Sequence, residues 1–194
     1  MPRLETERLL LRPPEPGDAV KIAKWLSDFE VVKNTANLPH PFARAEAEAL
    51  IASAAENLAK GEAYSFAIVH KATGILIGFC SLSLVEGCYK LEYWLGRVFW
   101  NQGYGTETAK RLLGFAFHDL KAEKVQASWF DDNSGSWHVL EKLGFKPLNS
   151  YLHESPSRGE QVLCNRTMLA REDFGRKRPS LVRTQRPLLE AVGA

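Results

Sequence analysis

The chain has 194 residues and a mass of 21.8 kDa, with 25 Lys and Arg against 23 Asp and Glu. That length suits a single domain burying about 70% of its unfolded surface, and 45% hydrophobic with 25% charged residues excludes global disorder. The net charge of +2 is uneven: residues 175–194 sum to +4, so the preceding residues sum to −2 and do not make a polyanion-binding body.

No apolar run approaches the ~20 residues that span a bilayer. The opening Met1 to Arg8 carries two glutamates and no apolar core, which is not expected of a signal peptide. Three scattered cysteines (Cys80, Cys88 and Cys164) fit reduced thiols in a cytoplasmic protein, with no metal-ligand spacing among them or the histidines.

Leu4 to Arg12 reads as one strand closed by Pro13-Pro14. Asp18 heads a short helix through Leu26, striped by Val20, Ile22, Ala23 and Leu26. Leu38-Pro39-His40-Pro41 breaks the chain. Ala43 to Lys60 is a helix with Ala47, Leu50, Ile51, Ala54 and Leu58 at helical spacing and Gly61 as its C-cap. Tyr64–His70, Ile75–Val85 and Tyr89–Leu95 are β runs joined by short turns, hence an antiparallel meander. A glycine-bearing segment, Asn101 to Thr106, leads into a helix from about Thr106 to Leu120. Lys124–Phe130 is a strand, Ser134–Leu143 a helix ended by Gly144, and Tyr151–Ser155 with Gln161–Leu169 a final hairpin. The order β-α-α-β-β-β-α-β-α-β-β implies an α/β (α+β) mixed sheet with helices on both faces. An acid-and-base-rich domain over residues 3–172 is followed by a basic tail over 173–194.

The segment from Leu95 to Glu107 is the most informative. Gly103 and Gly105 can adopt positive φ and admit a ligand close to the backbone. The first helical N–H groups that follow have no intrahelical acceptor and suit an anion. A P-loop would need Lys then Ser/Thr after the last glycine, but Thr106-Glu107 follows Gly105. A dinucleotide loop would need glycine where Thr108 stands.

Landmarks along residues 3–170 carry a resemblance. They are Thr6-Glu7-Arg8-Leu9-Leu10-Leu11-Arg12-Pro13, Tyr93-Trp94-Leu95, Trp100-Asn101-Gln102-Gly103-Tyr104-Gly105-Thr106-Glu107, and Asn133-Ser134-Gly135-Ser136 leading to Leu140-Glu141-Lys142-Leu143-Gly144-Phe145. In order and spacing they resemble the GNAT N-acetyltransferase superfamily, in the branch of the ribosomal-protein N-terminal acetyltransferases (RimJ/RimL-like). The resemblance implies a mostly antiparallel sheet whose central strands, Tyr89–Leu95 and Lys124–Phe130, splay apart around acetyl-CoA. It implies that backbone at Leu95 pairs with the pantetheine arm and that amides of Gln102, Gly103, Tyr104, Gly105 and Thr106 hold the pyrophosphate. It further implies that Asn133 reaches the pantetheine and Lys142 the ribose phosphate. Trp100 stands where relatives often place Arg or Gln, and Leu140 where many carry a thiolate-protonating tyrosine. The branch carries a serine matching Ser136, which becomes the proton donor unless it only opens its helix.

The implied reaction is acetyl transfer from acetyl-CoA, without a metal, to a primary amine: a protein N-terminal α-amine or a small amine. Deprotonating that amine calls for a carboxylate. Glu92 is the candidate, the alternative being an outward-facing or ion-paired strand residue. A backbone N–H near Leu95 would stabilise the oxyanion. The other functional reading is a non-catalytic CoA-binding or interaction module. Phe29, Phe42 and Tyr151 are expected at the acceptor pocket. Neither nucleic acid nor membrane is an expected partner, and a homodimer is left open.

Overall fold

The computed structural model describes residues 1–176; most of the basic tail, including Lys177, Arg178, Arg183 and Arg186, lies outside them. One eight-stranded sheet runs in the order β1-β2-β3-β4-β5-β6-β8-β7. The expected first strand is two, β1 (Leu4–Glu5) and β2 (Leu9–Arg12), folded back on each other so that Leu4 faces Leu11. Thr6 makes the turn between them: its hydroxyl oxygen accepts from the Leu9 N–H, and its own N–H donates to the Leu9 carbonyl. Next come α1 (Ala19–Leu26), a one-turn α2 (Phe29–Val32) that the sequence pattern does not reveal, and α3 (Arg44–Lys60). Gly61 ends α3 at φ 73°, a left-handed geometry that glycine adopts without a Cβ clash.

The meander is β3 (Ala63–His70), β4 (Ile75–Val85) and β5 (Cys88–Leu95), antiparallel throughout. After it come α4 (Tyr104–Gly114), continued by a wide turn over Phe115–Asp119, then β6 (Lys124–Phe130) and α5 (Ser134–Leu143). The final hairpin, β7 (Lys146–Ser155) and β8 (Glu160–Ala170), is longer than its sequence pattern suggests. β7 is mostly exposed on both faces, so it carries no clean alternation to read.

Two apolar cores sandwich the sheet. On one face α4 and α5 pack with Leu9, Leu11, Phe66, Ile68, Leu82 and Leu91. On the other, α1–α3 pack with Ala67, Leu76 and Phe79. The bidentate pair of Arg12 with Asp18, at 2.7 and 2.8 Å, ties β2 to the start of α1.

The sheet is interrupted at its centre. β5 and β6 run parallel and pair only from Tyr89↔Val125 to Leu91↔Ala127. Beyond Leu91, β5 stays on β4 as far as Leu95 opposite Gly78, while β6 stays on β8 as far as Phe130 opposite Cys164. The two strands therefore part, leaving the β6-side edge of Glu92 to Leu95 without a strand partner. On the other side of β5, β4 is irregular near the same end. Between Ile68 and Val69 the partner jumps from Gly78 to Leu76, so Ile77 is bulged out. Gly78 is obligatory beside it: a Cβ there would lie 2.2 Å from the Trp94 carbonyl oxygen.

Candidate active site

The fork between β5 and β6 opens into a cavity of about 940 Å³ that runs from the start of α4 to the α1–α3 side of the sheet. Glu92, Leu95, Gly103, Tyr104, Gly105, Thr106, Asn133, Ser136 and Lys142 all border it. Gln102 does not: its side-chain amide donates to the Val98 carbonyl at 2.8 Å, and its carbonyl accepts from Arg8 at 3.0 Å.

At the start of α4, Gly103 is the N-cap at φ 82°. Gly105 departs from the expectation of positive φ, being the second residue of the helix. A Cβ there would sit 3.5 Å from the Tyr93 ring and 3.7 Å from Val139, ordinary contact distances that leave room for a methyl group. The first helical bond is Glu107 N–H to the Gly103 carbonyl at 3.0 Å. The N–H groups from Gln102 to Thr106 consequently have no acceptor among the described residues, and they sit at the positive end of the α4 dipole. Tyr104 itself is 8% exposed and belongs to the core.

A brace from the other end of the chain holds this turn. Glu107 accepts from the Thr6 hydroxyl at 2.6 Å, from the Arg8 N–H at 3.0 Å and from the Arg8 guanidinium at 2.7 Å. The guanidinium also lies 4.3 Å from the Tyr104 ring centroid. Burial pushes the Glu107 carboxyl up, but the hydrogen bonds from Thr6 and Arg8 outweigh it and leave it below the ordinary value. Arg8 and Glu107 stand within the sequence landmarks, yet they are 99 positions apart and nothing local pairs them.

Trp100, standing where relatives often carry Arg or Gln, has a structural task. Its indole N–H donates to the Leu95 carbonyl at 2.8 Å and pins the end of β5. That carbonyl is therefore taken, and the open backbone on this edge lies at Tyr93 and at the Leu95 N–H. Asn133 borders the cavity and accepts the Ser136 N–H on its side-chain oxygen at 3.1 Å, which caps α5 and leaves its amide NH₂ without a partner among the described residues. Leu140 is 1% exposed and packs into the core from the cavity border, with no group that could give up a proton.

Glu92 is an ion-pair partner: its Oε1 holds the Lys90 ammonium at 2.8 Å. Burial would lower the Lys90 pKa, but Glu92 more than offsets it and keeps the lysine charged. Two other carboxylates border the cavity, and both are engaged. Glu30 holds Lys33 at 2.8 Å, and Asp132 holds Arg158 at 2.7 Å. Of the aromatic residues expected at the acceptor end, Tyr151 is there. Phe42 is not, being buried against α1–α3, and Phe29 packs on His40 at the surface with 41% exposure. Both lie in segments whose loop character in sequence gives no direction. The Cys80 thiol borders the cavity, but complete burial drives its pKa far up, so it is an inert apolar group.

Sequence reasoning missed Tyr93. Its ring borders the cavity, and its hydroxyl is buried with no hydrogen-bond partner among the described residues. Burial pushes its pKa up to about 12. The nearby Ser136 hydroxyl opposes that shift, though the two are not in hydrogen-bonding geometry. Among the described residues no helix is long and apolar enough to cross a membrane, and no cluster of three His, Cys, Asp or Glu is arranged to hold a metal ion.

Residues 8–146 match the model of the acetyltransferase (GNAT) domain family. A curated relative, "Uncharacterized N-acetyltransferase p20" of Bacillus licheniformis, is 30% identical over 149 residues, covering 75% of this chain and 83% of that protein. The fold is shared with ribosomal-protein-S5-alanine acetyltransferase from Vibrio fischeri, with a TM-score of 0.77 at 18% identity over 91% of this chain and 100% of that one. It is also shared with spermidine N-acetyltransferase from Vibrio cholerae, solved with CoA and spermine, with a TM-score of 0.73 at 18% identity over 87% of this chain and 98% of that one. The chain belongs to the GNAT family and is an N-acetyltransferase.

Proposed function

We propose that the chain transfers acetyl from acetyl-CoA to a primary amine bearing a single positive charge, an α-amine at a protein N terminus or a small monoamine. The observation that carries this reading is the row of unbonded N–H groups from Gly103 to Thr106, lying at a helix start beside the unpaired edge of β5. Such a row suits a diphosphate, and an unpaired strand edge suits the amides of a pantetheine arm. In this reading the Leu95 N–H and Tyr93 backbone receive the arm, Asn133 meets it from α5, and Lys142 approaches the ribose phosphate.

The acceptor class follows from charge. A polyamine would need several free carboxylates, whereas Glu30, Glu92 and Asp132 each already hold a cation of the protein. The amine must be neutral to attack. An α-amine, with a pKa of about 7.7–8.0, needs far less help than a lysine at about 10.4. Glu92 supplies that help through Oε2, which has no partner among the described residues. The nitrogen attacks the thioester carbonyl, the oxyanion forms beside the Leu95 N–H, and the C–S bond breaks with Ser136 facing the sulfur. Positioning of two bound reactants provides about 7–11 kcal/mol of the barrier reduction.

Calorimetry with CoA tests the first half; no binding at millimolar CoA refutes it. Thiol release from acetyl-CoA across a panel of N-terminal peptides, monoamines and polyamines tests the second. Turnover of spermine above all single amines would overturn the acceptor class.

A further inference from the structure

Tyr93 is an anomaly in energetic terms. A buried hydroxyl without a partner costs stability that a phenylalanine would not. The surrounding groups fix where it could act. Its ring lies beside Gly105 at the start of α4, a position that Val139 of α5 also approaches. Ser136, on the same helix one turn before Val139 and Leu140, is the polar side chain next to the hydroxyl. Ser136 is half-buried and borders the cavity, as Tyr93 does, whereas the Tyr93 hydroxyl is itself out of solvent.

We propose that Tyr93 is a positioning residue for Ser136: once CoA is bound, its buried hydroxyl donates to the Ser136 oxygen and directs the serine hydrogen at the sulfur. This rests on the reading that Ser136 faces the sulfur. In the reaction, nitrogen bonds to the carbonyl carbon, and the C–S pair stays on sulfur. Ser136 gives sulfur its proton and regains one from the proton that nitrogen releases, while Tyr93 keeps its own. With its pKa raised to about 12 by burial, Tyr93 stays a donor throughout the working pH range. The arrangement supplies from a strand the support that Leu140, with no proton to give, does not.

The test needs no acceptor. The pKa of the thiol of bound CoA is followed by thiolate absorbance against pH in the wild type, Tyr93→Phe, Ser136→Ala and the double variant. The serine–tyrosine pair should hold the bound thiol's pKa down. Tyr93→Phe should raise it by about one pH unit, a tenfold loss of thiolate, as expected for losing support to a charged acceptor. Ser136→Ala should raise it at least as much, and the double variant no further. Because Tyr93→Phe leaves no bond unmade in the free protein, its melting temperature should match or exceed the wild type's. An unchanged thiol pKa in Tyr93→Phe, or effects that add in the double variant, would overturn the inference. Failure of the wild type to bind CoA would instead overturn the reading of the site on which it rests.

Discussion

Gly78→Ala probes how the end of β5 is seated beside the fork. The new Cβ would stand 2.2 Å from the Trp94 carbonyl oxygen, where real Cβ atoms essentially never come under 3.0 Å, so the strands must part by about 0.8 Å. The Leu95 Cα, at 3.0 Å, is backbone as well, so the whole end of β5 moves. It moves away from β4, into the space between β5 and β6. Overpacking of this kind costs about 1–3 kcal/mol, a fall in Tm of about 2–12 °C for a chain of this size. The same shift misplaces the edge that would line the pantetheine arm, and displacements near 1 Å cost up to about 100-fold in rate. Denaturation curves give the stability, and calorimetry with CoA well below the Tm gives the affinity of the folded fraction. Gly17→Ala is the control, since a Cβ there meets nothing within 4 Å. Gly78→Ala with wild-type stability and wild-type CoA affinity would refute this seating of β5.

Further outcomes follow from other residues. Gly105→Ala places a methyl at ordinary contact distance from Tyr93 and Val139, so the fold should hold within about 1 kcal/mol, whereas Gly105→Val should cost about 1–3 kcal/mol and abolish CoA binding by calorimetry. Glu92→Gln should lower kcat/KM about 100-fold at pH 7 and progressively less as pH rises toward the amine's own pKa; a pH-independent deficit would assign Glu92 to ion pairing alone. Glu107 has a folded pKa below its unfolded one. Its contribution to stability is therefore complete above the unfolded pKa of about 4.3 and disappears as pH falls through the lowered value. Chemical denaturation of Glu107→Gln should accordingly show a deficit at pH 7 that closes toward pH 3.

Much of this was legible before any coordinates. The meander announces itself by β runs and short turns, and α3 and α5 by their stripes and the glycines that end them. The family landmarks bring nearly every expected site residue to one cavity border. What escaped has a common cause, namely that it depends on neighbours distant in sequence. The splaying of β5 from β6 came with the resemblance, but neither strand's own residues say that pairing stops at Leu91 and Ala127. The bulge at Ile77 is invisible in a continuous apolar run. Leu4 to Arg12 looks like one strand because Thr6 signals a turn only through its bonds to Leu9. Phe29 and Phe42 could not be aimed from sequence, and Tyr93 reads as an ordinary strand aromatic until its hydroxyl is seen to lack a partner.

The brace from Arg8 and Thr6 to Glu107 has a kinetic side. The turn before α4 is held in shape by a contact spanning 99 positions, so no locally folded fragment contains it. During synthesis the opening hairpin must wait, unclasped, until α4 has left the ribosome. Contacts of such separation form slowly because their loop must close first. Readiness to take up the cosubstrate should therefore be among the last properties a newborn chain acquires, well after its helices and meander are in place.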